Sequence, residues 1–123
     1  MNFQRFTASG TWTKPSGVNA IYVECIGGGA GGAGGHGSAI NLTRGGGGAG
    51  GAGARSCRWM SATIAGATET VTVGSGGTGG AGGSSGVGFA GTAGGNSTFG
   101  SHLTGHAGGF GTPLITSGAG GGG

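Results

Sequence analysis

Apolar and polar residues alternate in four short stretches of this chain and almost nowhere else. Residues 3–13 (FQRFTASGTWT) and 20–26 (AIYVECI) are rich in aromatic and β-branched side chains, and Pro15, Ser16 and Gly17 between them are turn formers. The pattern predicts a pair of strands around a turn. In the second strand Ile21, Val23 and Cys25 fall on one face, and Tyr22, Glu24 and Ile26 on the other. A second pair is predicted at 57–64 (CRWMSATI) and 69–73 (ETVTV), turning through Ala65, Gly66 and Ala67. There Val71 and Val73 alternate with Thr70 and Thr72, as in a half-buried strand. No window shows a helical period bounded by caps, and glycine penalises a helix heavily, so no α-helix is expected.

Between and after these strands lie glycine tracts with a period of three. In 27–37 (GGGAGGAGGHG) only positions 30, 33 and 36 carry side chains; 45–53 repeats the pattern with Ala49 and Ala52, and 76–83 with Thr78 and Ala81. Three residues per turn is the repeat of the extended polyproline-II helix, which makes no internal hydrogen bonds. Its N–H and C=O groups must find partners elsewhere. Collagen meets that need with many prolines, and this chain has 2. The remaining solution is side-by-side packing of such helices, or polyglycine II, with close approach wherever a Cβ is missing. The expected architecture is one domain over 1–123, all-β with polyglycine-II helices. A small β-layer (elements within 3–26 and 57–73) packs with a GGX bundle (tracts 27–53 and 74–123). Alanine rather than serine at most third positions favours this lattice over a solvated linker.

Composition bears on what holds the chain together. Glycine supplies 40 of 123 residues and charged side chains only 6%. A core of large side chains is therefore small, and backbone hydrogen bonds must carry the fold. A net charge of +3, with Arg-Gly-Gly occurring once at 44–46, gives no basis for nucleic-acid binding. No stretch of about 20 apolar residues exists to cross a membrane. Two cysteines, Cys25 and Cys57, are too few for a disulfide framework, and two thiols are expected.

Catalysis needs a positioned acid, base or nucleophile. Glu24 and Glu69 are the only carboxylate side chains, both in predicted strands, and no Ser–His–Asp or Cys–His spacing accompanies them. The chain is expected not to be an enzyme and to need no cofactor. His102 and His106 stand four apart, but Gly105, Gly108 and Gly109 argue against the helix that would bring them together, so no metal site is expected. Gly74, Gly76 and Gly79 match the dinucleotide-binding spacing without its helix or later acidic residue.

The opening Phe6-Thr7-Ala8-Ser9-Gly10-Thr11-Trp12-Thr13-Lys14-Pro15-Ser16-Gly17-Val18, followed by a strand and the run from Gly27, resembles the glycine-rich domain of bacteriophage tail-fibre proteins. Val71-Thr72-Val73-Gly74-Ser75-Gly76-Gly77 is similar to that domain's TVTVGxGG step, and Gly95-Asn96-Ser97-Thr98-Phe99-Gly100 to its closing GGxSSFG motif. The resemblance implies a polyglycine-II bundle in a virion protein of tail-fibre or tail-tip type, assembled in the host cytoplasm, whose connecting loops contact a receptor on the host surface. With Met1 almost directly before the motif no long shaft is expected ahead of it. A capsid or tail decoration subunit, binding only other virion proteins, is the second reading, and an ice-binding or matrix-like protein the third.

An inert lattice leaves binding to the side chains that interrupt it. The loop 36–44 and the segment 101–110 are the expected receptor contacts, through Asn41, Arg44, His102, His106 and Phe110. Phe3, Phe6, Trp12, Tyr22 and Trp59 are more aromatic surface than one thin β-layer covers. Trp12, Trp59, Phe3 and Phe6 are assigned to the β-core or to a subunit contact, and the excess of the five to contacts with other virion subunits or other copies of the chain, a trimer being the state that matches fibre symmetry.

Overall fold

The computed structural model describes residues 2–37 and 45–114. It is all-β, and among the described residues there is no helix. Six strands form: β1 (Gly10–Thr13), β2 (Ala20–Ile26), β3 (Arg55–Ser61), β4 (Thr68–Thr72), β5 (Ser97–Phe99) and β6 (Leu103–Gly105). β2 and β3 make one antiparallel sheet; the other has the order β1-β4-β5-β6, also antiparallel throughout.

The four predicted strands are present with shifted ends: the first is confined to its last four residues, and the third starts at Arg55 and stops at Ser61. Their pairing differs from the expectation. β1 joins β4, not β2, and β3 joins β2, not β4. The chain thus crosses from one sheet to the other between β1 and β2 and again between β3 and β4, and the inner faces of the two sheets meet in one core. Lys14 fixes the crossing: its N–H donates to Ala67 C=O at 2.9 Å, and its ammonium to the carbonyls of Ala62 and Ala65 at 3.0 and 3.2 Å. Gly17, with φ of 76°, turns the chain between β1 and β2.

Inside, Trp12, Cys25, Ala65 and Phe99 are buried, with Phe6, Ile21, Val23, Val71 and Leu103 packed around them. Trp12 meets Phe99 edge to face at a centroid distance of 5.3 Å. Ile21, Val23 and Cys25 line the inner face of β2 as the alternation predicted, while Tyr22, Glu24 and Ile26 face outward.

Five glycine-rich runs leave this layer: the first (27–37) follows β2, the second (45–54) precedes β3, the third (74–83) follows β4, the fourth (86–95) precedes β5 and the fifth (106–112) follows β6. Among the described residues no backbone bond joins two residues of one run; every bond crosses to a neighbour, at intervals of three. Gly27, Ala30, Ala33 and His36 donate to the carbonyls of Ala54, Gly51, Gly48 and Gly45, while Gly28, Gly31, Gly34 and Gly37 donate to those of Gly95, Thr92, Phe89 and Gly86, at 2.8 to 3.0 Å. Each of these neighbours is thus bonded once in every three residues.

Strand and run share one register. The β2–β3 ladder that starts at Ala20↔Ser61 passes into the first and second runs without a slip, as far as His36 and Gly45. The β4–β5 register continues into the third and fourth runs, and β5–β6 into the fourth and fifth. The tract expected over 74–123 is thus interrupted by a β-hairpin at 97–105, turned by Gly100 with φ of 50°.

Candidate functional site

The runs all begin or end at the β-layer, so Gly37, Gly45 and the bend after Gly83 stand at the opposite end of the lattice. Residues 84–86 form the bend from the third run to the fourth, and Gly37 and Gly45 flank the connection from first to second. Asn41 and Arg44 lie in that connection, outside the described residues. His36, the last described side chain before it, has its Nδ1 enclosed without a hydrogen-bond partner among the described residues. Val87 and Phe89, on the outgoing fourth run, are exposed; Phe89 is 66% accessible.

The other expected receptor contacts stand elsewhere. Residues 101–110 do not project as a loop: they complete the β5–β6 turn, form β6 and enter the fifth run. His102 sits at the end of the β-layer remote from the lattice, half-buried, with Nε2 3.1 Å from Glu69 Oε1. The same carboxylate accepts the Gly66 N–H at 2.7 Å. A Cβ at Gly100 would meet its other oxygen, the movable end of a side chain, and it is the φ of 50° that favours glycine in this turn. His106 and Phe110 are exposed along the fifth run. The structure therefore does not bring His102 together with the lattice-end connections.

Glu69 is held below the usual carboxylate range, first by the Gly66 N–H and then by His102. The unfolded chain binds that proton more tightly than the folded one. The stabilisation is complete above the ordinary carboxylate pKa and is lost as the pH falls through the lowered folded value. Glu69→Gln is therefore expected to lower the urea midpoint at neutral pH and to flatten its fall in acid. An unchanged acid limb in the variant would show that another group controls it.

Of the five aromatics expected at contacts, Trp12 is taken up by the core and Phe6 packs against it. Phe3, Tyr22 and Trp59 are exposed, at 83%, 46% and 71%. Tyr22 and Trp59 are direct cross-strand partners on the outer face of β2–β3, with ring centroids 5.1 Å apart. Next to them Arg55 holds Glu24 with two hydrogen bonds, of 2.7 and 2.6 Å, which keep the Glu24 carboxyl below its usual range. The pair is solvent-screened, so its value is orientation of the face rather than stability. The N-terminal arm, including Phe3 and Phe6, borders a cleft of about 890 Å³ that runs past Tyr22 and Trp59 to the edge of the core.

Cys25 and Cys57 are both free thiols, one buried beneath β2 and the other exposed on the outer face of β3. Glu24, not Cys25, is the register partner of Cys57, which puts the two sulfurs on opposite faces of the sheet. Burial pushes the Cys25 thiol up and leaves it unreactive. Among the described residues no three His, Cys, Asp or Glu side chains gather where they would hold a metal ion.

Sequence reasoning missed the β5–β6 hairpin and the Glu69–His102 pair that braces it. The signal was present in Ser97-Thr98-Phe99-Gly100 and Leu103-Thr104, two short alternating stretches around a glycine, but the strands they form are only three residues long.

A family model described as a glycine-rich domain matches residues 6–123. Neither the curated proteins nor the solved structures gave a match. Repeating glycine runs, the strands that lead into them and a family match over nearly the whole chain agree: this protein belongs to the glycine-rich domain family.

Proposed function

We propose that the chain is a structural protein of a phage virion, of tail-fibre or tail-tip type, which contacts the host surface through the connections at the free end of its glycine lattice. The observation that carries this reading is that the ends of the first and second runs, Gly37 and Gly45, and the 84–86 bend lie together at one end of a backbone-bonded lattice, opposite the β-layer. Connections on such a scaffold accept changes of side chain without disturbing the packing below. The β-layer end would then face the rest of the particle. Polar Ser84 and Ser85, exposed Val87 and Phe89, and Asn41 and Arg44 of the neighbouring connection are the groups offered to a saccharide or an outer-membrane protein.

The exposed Phe3, Tyr22 and Trp59 favour a second reading, a decoration or accessory subunit that binds only other virion proteins through that face. The two separate by experiment. With the protein located in purified particles by labelling, alanine at Asn41, Arg44, Ser85 and Phe89 together is expected to reduce adsorption to host cells about tenfold or more, with an unchanged melting temperature. Alanine at His102 is expected to lower the melting temperature instead, because it removes the hydrogen bond between His102 and Glu69. Adsorption that survives the four substitutions, in particles that fall apart when the protein is removed, would decide for the accessory subunit. Absence from the particle would refute both.

A further inference from the structure

The first run has four neighbours, and their mutual bonds set their order around it. The second run bonds the fifth (Gly51 N–H to Gly109 C=O, 2.7 Å), the fifth bonds the fourth (Gly91 N–H to Gly111 C=O, 3.2 Å), and the fourth bonds the third (Thr92 N–H to Thr78 C=O, 2.9 Å). Among the described residues nothing joins the third to the second. A rod with three residues per turn sends its donors and acceptors out 120° apart and so has about six neighbour positions. The second, fifth, fourth and third runs take four consecutive ones. The two left over are adjacent. The third, first and second runs therefore form a flat row, with the fourth and fifth behind it and no described run in front.

The hydrogen-bond groups of the first run give the same answer. Its first triplet position donates to the second run and its middle position to the fourth. The N–H groups at the remaining position, Gly29, Gly32 and Gly35, have no backbone partner among the described residues, and neither do the carbonyls of Ala30 and Ala33. Their phase directs them at the two unfilled positions. The front is also free of side chains where it matters. A Cβ at Gly29 would reach only Gly51 O, at 3.7 Å, and at Gly76, Gly79 or Gly82 only the carbonyls of Gly29, Gly32 and Gly35, at 3.8 Å. β2 and β3 continue the first and second runs, and their inner face lies on β5 and β6. Exposed Tyr22, Ile26 and Trp59 thus stand on the same front as the open row.

We propose that this front is the docking surface for a second copy of the chain, placed face to face about a two-fold axis parallel to the runs. That operation sets the partner's first and third runs into the two open positions beside the first run. It sets this chain's first and third runs into the partner's open positions at the same time, as an isologous contact requires. The complementarity is one of period. Donors three residues apart recur about every 9 Å, and a glycine run offers acceptors at that repeat. A β-strand edge, repeating at about 6.8 Å, falls out of step after one bond. Three rods side by side bury roughly 450 Å² per partner, below the ~800 Å² of a standard interface, so the aromatic patch is needed to complete it. The parallel axis brings the Tyr22–Trp59 faces of the two copies to the same end, where they extend the contact.

The inference does not depend on the virion reading and is tested on the purified full chain. Sedimentation from micromolar to millimolar concentration is expected to show monomer and dimer in equilibrium. The amides of Gly29, Gly32 and Gly35 are expected to exchange quickly in the dilute sample and slowly in the concentrated one. Gly79→Leu and Trp59→Ala should each weaken dimerisation about tenfold or more. Gly79→Leu should leave the melting temperature of the dilute monomer unchanged, because its Cβ has room within the chain. A chain monomeric at every concentration would overturn the proposal. So would protection of those three amides in the dilute monomer, which would mean that the chain covers its own front, or a dimer indifferent to Gly79→Leu. Failure here leaves the location of the protein in particles untouched, and absence from particles leaves the dimer untouched.

Discussion

Valine at Gly31 is expected to unfold the chain, whereas serine at Ala33, two residues further on, is expected to leave its melting temperature nearly unchanged. Gly50→Val and Ala52→Ser should divide in the same way. A Cβ on Gly31 would lie far inside contact distance of the Thr78 carbonyl, and one on Gly50 inside that of Ala30. The obstacle in each case is the backbone of a neighbouring bonded run, not the far end of a flexible side chain. Overpacking an ordinary core costs roughly 1–3 kcal/mol. Here a branched side chain must force bonded runs away from each other, so the cost exceeds that range and takes up most of a total stability of about 5–15 kcal/mol.

The structure sharpens this into a comparison of adjacent glycines. Gly76 has nothing nearer to its Cβ position than Gly29 O at 3.8 Å, while a Cβ at Gly77 would collide with the Thr92 carbonyl. Neither has a left-handed φ. Gly76→Ala should therefore stabilise slightly, by about 0.4–1 kcal/mol, through the reduced freedom of the unfolded chain. Gly77→Ala should destabilise severely. Thermal melts of the single variants decide the matter, and equal melting points within each pair would sink the lattice.

How much of this was legible beforehand depends on how far each signal extends along the chain. The period of three in 27–37, 45–53 and 76–83 repeats often enough to predict bonded neighbours at every third residue. The inward and outward faces of β2 follow from simple alternation over seven residues. Strand pairing was not legible. Pro15-Ser16-Gly17 and Ala65-Gly66-Ala67 look like hairpin turns, yet both connections pass from one sheet to the other, and the local turn signal does not distinguish the two. Which of two glycines in a triplet is sterically required was also hidden. Gly31 and Gly32 read alike in sequence, and only the placement of the third run beside the first separates them. The sequence left the aromatics divided between core and contact: Phe3, Tyr22 and Trp59 stand exposed, while Trp12, packed against Phe99, is the largest side chain the small core has.

That smallness makes Trp12→Ala the second substitution with a large expected effect. Among the described residues only Trp12, Cys25, Met60, Ala62, Ala65 and Phe99 are buried apolar residues, and Trp12 and Phe99 are the only buried aromatics. Truncating either should cost roughly 3–5 kcal/mol, with little nearby side-chain volume to refill the space. Phe89→Ala and Phe110→Ala, which remove exposed rings of the runs, should cost far less. The consequence should not stop at the β-layer. β2–β3, β4–β5 and β5–β6 each continue into a pair of glycine runs in unbroken register, so a sheet that loses its core also releases the ends that align the lattice. Glycine runs lose more conformational entropy on ordering than any other sequence and have few side chains to hold them once that alignment is gone. Trp12→Ala is therefore expected to lower one cooperative transition, with ellipticity and amide protection of Gly31 and Gly34 lost together. A variant in which the strands melt first while those amides stay protected would show that the lattice stands by itself and that the shared register does not couple it to the sheets.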